Sequence, residues 1–399
     1  MSSRRIAGRK TSVLATFAAV ATAAVMAASS ADAAAAGSVW SVVKSPNVTT
    51  GTFATNALLS VSAVSDSNVW AAGFSNKSGA DDSGDSPLIE HWNGTAWSVS
   101  PTVAQNAEFT GISADSATDA WAVGNVENAT ALLAEHWNGT AWSTAAMPVP
   151  SNAVNIRIEG VTAVSPTNAW AVGMYSDDSL GLPLIEHWNG TAWSITPNVP
   201  RQVSDFNDLH AVTAVSANDI WAVGEWDAGG QQQLLMHFDG TSWTLVTQEA
   251  MIGAGQSRAF PVAVSASASN DVWAVGDADF TGSDQVTSQQ PFAEHWDGTQ
   301  WTAFPTPAPA ITNDSMSFTA VAAVSENDVW AVGQDDSQSI LEHWDGTSWT
   351  MATLPALGAS GNLLDAVAKS GPSSLWAVGD NEPKSTLISQ SLTIHTTRG

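Results

Sequence analysis

A tryptophan followed by small residues and a glycine recurs seven times along the 399-residue chain. It stands as Trp70-Ala71-Ala72-Gly73, then as Trp-Ala-Val-Gly beginning at Trp121, Trp170, Trp221, Trp273, Trp330 and Trp376, with spacings of 51, 49, 51, 52, 57 and 46 residues. A period of this length is one supersecondary unit that cannot bury its apolar face alone, so successive copies must stack on one another. Each copy reads as four strands: an alternating run such as Val161-Thr162-Ala163-Val164-Ser165, a strand holding the signature, a strand ending in His-Trp, and a last strand with another tryptophan such as Trp193. Asn-Gly-Thr or Asp-Gly-Thr between strands three and four predicts a two-residue hairpin with positive φ at both central residues. No repeat sustains a helical period.

The seventh copy stops early. It holds Trp376 and a third strand ending Leu392-Thr393-Ile394-His395, and no fourth strand follows. Val39-Trp40-Ser41-Val42 near the other end matches the missing strand. The chain is therefore expected to be all-β, a seven-bladed β-propeller of four-stranded antiparallel blades over residues 34–399, closed by an N-terminal strand around 38–44 that pairs with the blade at 362–399. Such closure leaves no open seam of unpaired backbone groups.

Residues 1–33 read as a secretory signal peptide: Arg4, Arg5, Arg9 and Lys10 precede an uncharged, alanine-rich run and the Ala31-Asp32-Ala33 cleavage pattern. The mature chain is expected to be secreted and extracellular, monomeric, and not inserted in a membrane. The absence of cysteine excludes disulfides and leaves core burial to hold the fold. Without the signal, eight Lys and Arg stand against 37 Asp and Glu, a net of −29. A surface of that sign repels nucleic acid phosphates and anionic lipid heads.

The sixth repeat, Val329-Trp330-Ala331-Val332-Gly333 followed by His343-Trp344-Asp345 and Trp349, resembles the blades of the kelch-type and galactose-oxidase-like propellers. The resemblance covers the whole mature chain and departs from kelch repeats in having one glycine where they carry two. The repeat is also similar to that of secreted bacterial propellers built on Trp-Ala-Val-Gly and His-Trp-Asp-Gly-Thr. The copper radical chemistry of galactose oxidase needs a cysteine-linked tyrosine, which this chain lacks. The Asp-Gly-Thr-x-Trp turns are one residue too short for the Asp-box of sialidases.

Six His-aromatic pairs, at histidines 91, 136, 187, 237, 295 and 343, are spread around the ring and cannot converge on one ion. They are expected to fill the wedges between blades, each imidazole using its polar edge for a structural hydrogen bond. Asn93, Asn138 and Asn189 lie in glycosylation sequons, but Asp at 239, 297 and 345 fills the same turn, so turn geometry explains them.

Unrepeated residues are the candidates. The turns after strands one and three are short and constant and lie on one face of the ring; the loops after strands two and four vary and lie on the other. A ligand is expected on the variable face. Counting back from each signature tryptophan, the thirteenth residue is Ala57, Glu108, Arg157, Asp208, Phe260, Ser317 or Leu363, and the eleventh Leu59, Thr110, Glu159, His210, Val262, Thr319 or Asp365. Charge and histidine gather in blades two to four. With Tyr175 and Trp226 just beyond two signature glycines, Glu108, Arg157, Glu159, Asp208 and His210 form the expected ligand-binding set. Exposed aromatic faces would stack on sugars while carboxylates and arginine take hydroxyl hydrogen bonds.

The expected partner is an extracellular glycan or protein, bound without catalysis. A polysaccharide lyase or glycoside hydrolase at the channel mouth is the enzymatic alternative, with His210 or Glu159 as general base and Arg157 facing a substrate carboxylate. A structural protein-interaction ring is the third. No cofactor is expected; Ca²⁺ is the ion that the acid-rich loops could take, with Asp277-Ala278-Asp279 the nearest fragment of a calcium-loop spacing.

Overall fold

The structure, a computed structural model, describes residues 38–397 apart from 51–52, 78–83, 127–130, 178, 228–230, 247–255, 282–286, 308–315, 336–337, 358–360 and 382–387. The expected signal segment lies outside the described residues.

Seven antiparallel sheets of four strands form the ring. Blade one runs from Thr55 to Ser100, and blades two to six follow in order. In blade seven, Asn362–Gly371, Ser374–Asn381 and Gln390–Thr397 are completed by Val39–Val42, whose Trp40 pairs with Thr396 and Ser41 with His395. The first strands pack against their neighbours all round the ring, which makes them the inner layer.

Each wedge between blades is filled by the repeated aromatics. Trp121 stacks on His136 of its own blade at 4.4 Å and meets Trp193 of the next blade edge-on at 4.9 Å. The same pairings recur in every wedge, from Trp70 with His91 and Trp142 to Trp376 with His395 and Trp97. Offset and T-shaped contacts of this kind add about 0.5–1.5 kcal/mol beyond area burial. Each histidine Nε2 bonds the residue two before its signature tryptophan: Asn68, Asp119, Asn168, Asp219, Asp271, Asp328 or Ser374. The histidines are therefore scaffold, in line with the sequence reading.

The Asn-Gly-Thr hairpin differs from expectation. Trp92 pairs with Trp97, which leaves a four-residue loop, and only Gly94 takes a positive φ, of 91°. Asn93 keeps ordinary backbone geometry because its side chain builds the turn: Oδ1 accepts from the backbone N–H groups of Thr95 and Ala96 at 3.0 and 3.1 Å.

Burial also reveals a repeated residue that the sequence reading passed over. The glutamate before the histidine, at 90, 135, 186, 294 and 342, is wholly buried, while Met236 and Ile394 fill that place in blades four and seven. Glu135 Oε1 accepts from the N–H groups of Val103 and Ala104 at 3.0 and 2.8 Å, tying down the connection from the preceding blade. Burial pushes the carboxyls of Glu90, Glu186 and Glu342 up to about 8, so they are neutral acids at neutral pH.

Candidate functional site

The eleventh residue before each signature tryptophan proves to be a bulge. The register between strands one and two slips between Phe109 and Gly111, Ile158 and Gly160, and Leu209 and Ala211, and at the same place in all seven blades. The signature glycine accounts for it. A Cβ on Gly173 would stand 2.2 Å from the carbonyl oxygen of Arg157, and one on Gly224 2.0 Å from that of Asp208. Only glycine lets the backbone of the thirteenth residue come so close, and the bulge that follows re-aims the eleventh side chain. Both positions named by counting are thus set by one glycine per blade.

Blade three is held at this point by blade two. Asn125 donates from Nδ2 to the Ile158 carbonyl at 3.2 Å and accepts from the Ile158 N–H at 2.9 Å, while Thr110 Oγ1 donates to the same carbonyl at 2.8 Å. Ile158 lies between Arg157 and Glu159, so both side chains start from a fixed backbone. In blade four the wholly buried Asn207 fixes the incoming connection by accepting from the Gln202 N–H at 2.9 Å, and Asp208 follows it.

The structure brings Arg157, Glu159 and Asp208 together. A terminal guanidinium nitrogen of Arg157 donates to Asp208 Oδ2, and Nε lies 2.9 Å from Glu159 Oε1. Asp208 is wholly buried and Arg157 half-buried, so the pair is a staple between blades three and four with one side open to solvent. Burial lifts the Glu159 carboxyl to about 7; Arg157 pulls it down, and Asp208 and Glu108 push it back up. The Arg157 guanidinium loses hydration on burial, yet Asp208, Glu159 and Glu225 hold it above its ordinary value. A cavity of ≈ 180 Å³, lined by Asn155, Ile156, Arg157 and Met174, opens beside the pair.

Tyr175 and Trp226 are placed differently from expectation. Tyr175 pairs with Ile156 and Trp226 with Asn207, one register step from Arg157 and Asp208. Strand alternation sends them to the inter-blade cores, where both rings are half-buried. His210 sits half-buried at the blade-four bulge.

Glu225 was not among the expected residues. It faces Asp208 across the strand pair, directly after the signature glycine. The same position holds Asp277 and Asp380 in blades five and seven. Burial raises Asp277 to about 6, with Asp279 and Glu225 adding to the push, and it accepts from Gln289 at 2.5 Å. Burial beside Asp380 raises Asp365 to about 7. Lining up the residue after each glycine shows these three carboxylates, Glu225, Asp277 and Asp380.

In the acid-rich loops after the second strands, Asp81, Asp82, Asp178, Asp284 and Asp336 lie outside the described residues. Asp85 accepts from Asn76 at 2.7 Å, Asp177 caps the N–H groups of Ser179 and Leu180, and Asp279 pairs with Arg258 at 3.8 Å. Among the described residues no three His, Asp or Glu side chains converge as metal ligands.

No protein-family model and no curated protein matches the chain. Solved structures share the fold. YCF48 bound to D1 peptide superposes with a TM-score of 0.53 at 14% identity, covering 90% of this chain and 95% of that one. YCF48 from Cyanidioschyzon merolae gives 0.53 at 13%, covering 90% and 98%. The GH74 xyloglucanase from Xanthomonas campestris gives 0.52 at 13%, covering 88% of this chain and 55% of that one. At these identities the likeness establishes the fold: a seven-bladed β-propeller.

Proposed function

We propose that this chain is an exported, non-catalytic binding propeller that takes an extracellular glycan or protein on its variable face, at the mouth formed by blades two to four. The observation that carries this reading is the arginine thirteen residues before a signature tryptophan, a position that holds an arginine in blade three alone. The positions that hold Arg157, Glu159 and Asp208 are filled in blade one by Ala57 and Leu59, and in blade five by Phe260 and Val262. A closed scaffold does not need an arginine clasped by two carboxylates beside an open cavity, and variable loops on a rigid frame are where ligands bind.

The geometry favours binding over the lyase arrangement. A lyase would use Arg157 to neutralise a substrate carboxylate, and here Asp208 and Glu159 already occupy its guanidinium. Of the proteins that share the fold, one was solved with a peptide and another is a xyloglucanase, so both ligand classes belong in the test. Export by cleavage after residue 33 is part of the same proposal, and the N-terminal mass of the secreted protein tests it.

The mature chain, from Ala34, is applied to glycan and peptide arrays beside Glu225→Gln and the double variant Arg157→Met/Asp208→Asn, which removes the Arg157–Asp208 pair without leaving the buried Asp208 uncompensated. Binding that is lost in the double variant supports the site. Binding that all three proteins retain equally overturns it.

A further inference from the structure

The large apolar side chains that are exposed fall unevenly over the ring. Among the described residues, Val39, Val42, Val99 and Met351 lie on fourth strands at the outer edge. Val48, Phe53, Val103, Val149, Val154 and Val203 all lie on connections from a fourth strand to the next first strand, on the variable face. None lies in the short turns of the constant face. Val203, at the tip of the connection into blade four, is 100% exposed. Single exposed apolar residues need no explanation, but six on the connections of one face, with none on the other, mark an interaction surface.

The opening inside this rim is acidic. Asp208, Glu159 and Glu225 act on Arg157, and Glu108 acts on Glu159 beside it. Asp208 Oδ1 is buried and takes no hydrogen bond, so Arg157 does not satisfy the whole carboxylate. The carboxylates named here outnumber Arg157, and the chain as a whole carries −26. A carboxylate-bearing ligand would meet repulsion here, and a cation would be drawn in.

The rim also bears on the choice between sugar and protein. Sugars stack on open aromatic faces, whereas Tyr175 and Trp226 are packed against inter-blade cores and five of the six rim residues are valines. Valine methyl groups suit aliphatic side chains. The cavity at Arg157 has Ile156 and Met174 in its wall, which suits the methylene stem of a lysine or arginine whose head reaches the carboxylates.

We propose that the variable face docks a basic polypeptide segment that also carries aliphatic side chains, its Lys or Arg heads at the acidic mouth and its aliphatic groups on the valine rim. This rests on the binding reading given above and names the class of partner for that site.

The test is fluorescence anisotropy of a labelled peptide of alternating Lys and Leu against the mature chain, with Lys/Ser and Glu/Leu peptides for comparison. The proposal expects the Lys/Leu peptide to bind, Lys/Ser to bind more weakly and Glu/Leu not to bind. Glu225→Gln should weaken the Lys/Leu peptide about fivefold through lost charge pairing, and Val203→Ser about as much through lost apolar contact. Glu326→Gln removes an equally negative charge from a constant-face turn and should change nothing. Equal weakening by Glu225→Gln and Glu326→Gln would mean attraction to net charge alone and overturns the proposal, as does failure of the Lys/Leu peptide to bind. If that peptide fails while a neutral glycan binds and is lost in Arg157→Met/Asp208→Asn, the binding site stands and the polypeptide assignment falls. If neither binds, both fall.

Discussion

Trp40 meets Trp330 edge-on, with ring centroids 5.6 Å apart and planes at 63°. Trp40 comes from the N-terminal strand and Trp330 from blade six, 290 residues later in the chain. The contact is the one that Trp193 makes with Trp121 and Trp349 with Trp273 in other wedges. The closing strand is thus a complete substitute for a fourth strand. It is tied further by Val43, whose N–H donates to the Thr393 carbonyl at 2.9 Å, and by Asn47, which accepts from the Ser391 N–H at 2.9 Å. Trp40→Ala should cost about 3–5 kcal/mol, as other buried Trp truncations do. Urea unfolding measures it; a loss no larger than that of an exposed site would mean that the closing strand is not part of the cooperative fold.

The signature glycine makes a second prediction. Gly173→Ala puts a methyl 2.2 Å from the Arg157 carbonyl, where only backbone displacement gives room. Overpacking of that kind costs about 1–3 kcal/mol. At Gly111 the nearest atoms are 3.2–3.4 Å from the added Cβ, so Gly111→Ala should be the milder change. Thermal unfolding of the two variants gives the order, and the reverse order would refute the account of the bulge.

The buried glutamates make stability fall as pH rises. Glu90, Glu186 and Glu342 ionise near their ordinary 4.5 in the unfolded chain and near 8 when folded. Between those values the folded state holds protons that the unfolded state has released. The linkage therefore lowers stability across the window and leaves it flat below 4.5. The loss is on the order of a few kcal/mol per group. Met236 already fills this slot in blade four, so Glu186→Met should flatten the slope and stabilise the protein at the alkaline end. Melting temperatures from about pH 5 to pH 8 decide it; a wild-type curve that rises with pH would sink this reading.

Arg157 and Asp208 should couple strongly. Arg157→Met leaves the wholly buried Asp208 uncompensated, at a cost of about 3–5 kcal/mol. Adding Asp208→Asn removes the stranded charge and should recover most of that loss. A double-mutant cycle by urea unfolding tests the coupling, and simple additivity would show that the pair is solvated and independent.

How far the sequence speaks for itself depends on the repeat. Strand order, blade count and the closing role of Trp40 are legible because one pattern recurs seven times and its missing piece lies at the other terminus. The count that singled out Arg157 and Asp208 works because Gly173 and Gly224 fix those positions in space. Glu90 and Glu186 are not legible as core because a carboxylate between an isoleucine and a histidine reads as the polar face of a strand, and only packing shows it buried and neutral. Glu225 escaped because it is visible only when the residues after the glycines are aligned. Tyr175 and Trp226 looked open because they sit beside loops, yet strand alternation turns them inward. Asn93 was read as part of a two-residue turn because the sequence does not show that its side chain, rather than its backbone, closes the loop.

The most direct test of the central claim is hydrogen exchange of the chain from Ala34 onward with and without whichever array ligand it binds most tightly. The account predicts slowed exchange at 153–160, 201–210 and 223–227, the segments that build the mouth between blades two and four. Protection confined to the constant-face turns, such as 66–67, 117–118 and 217–218, would contradict it.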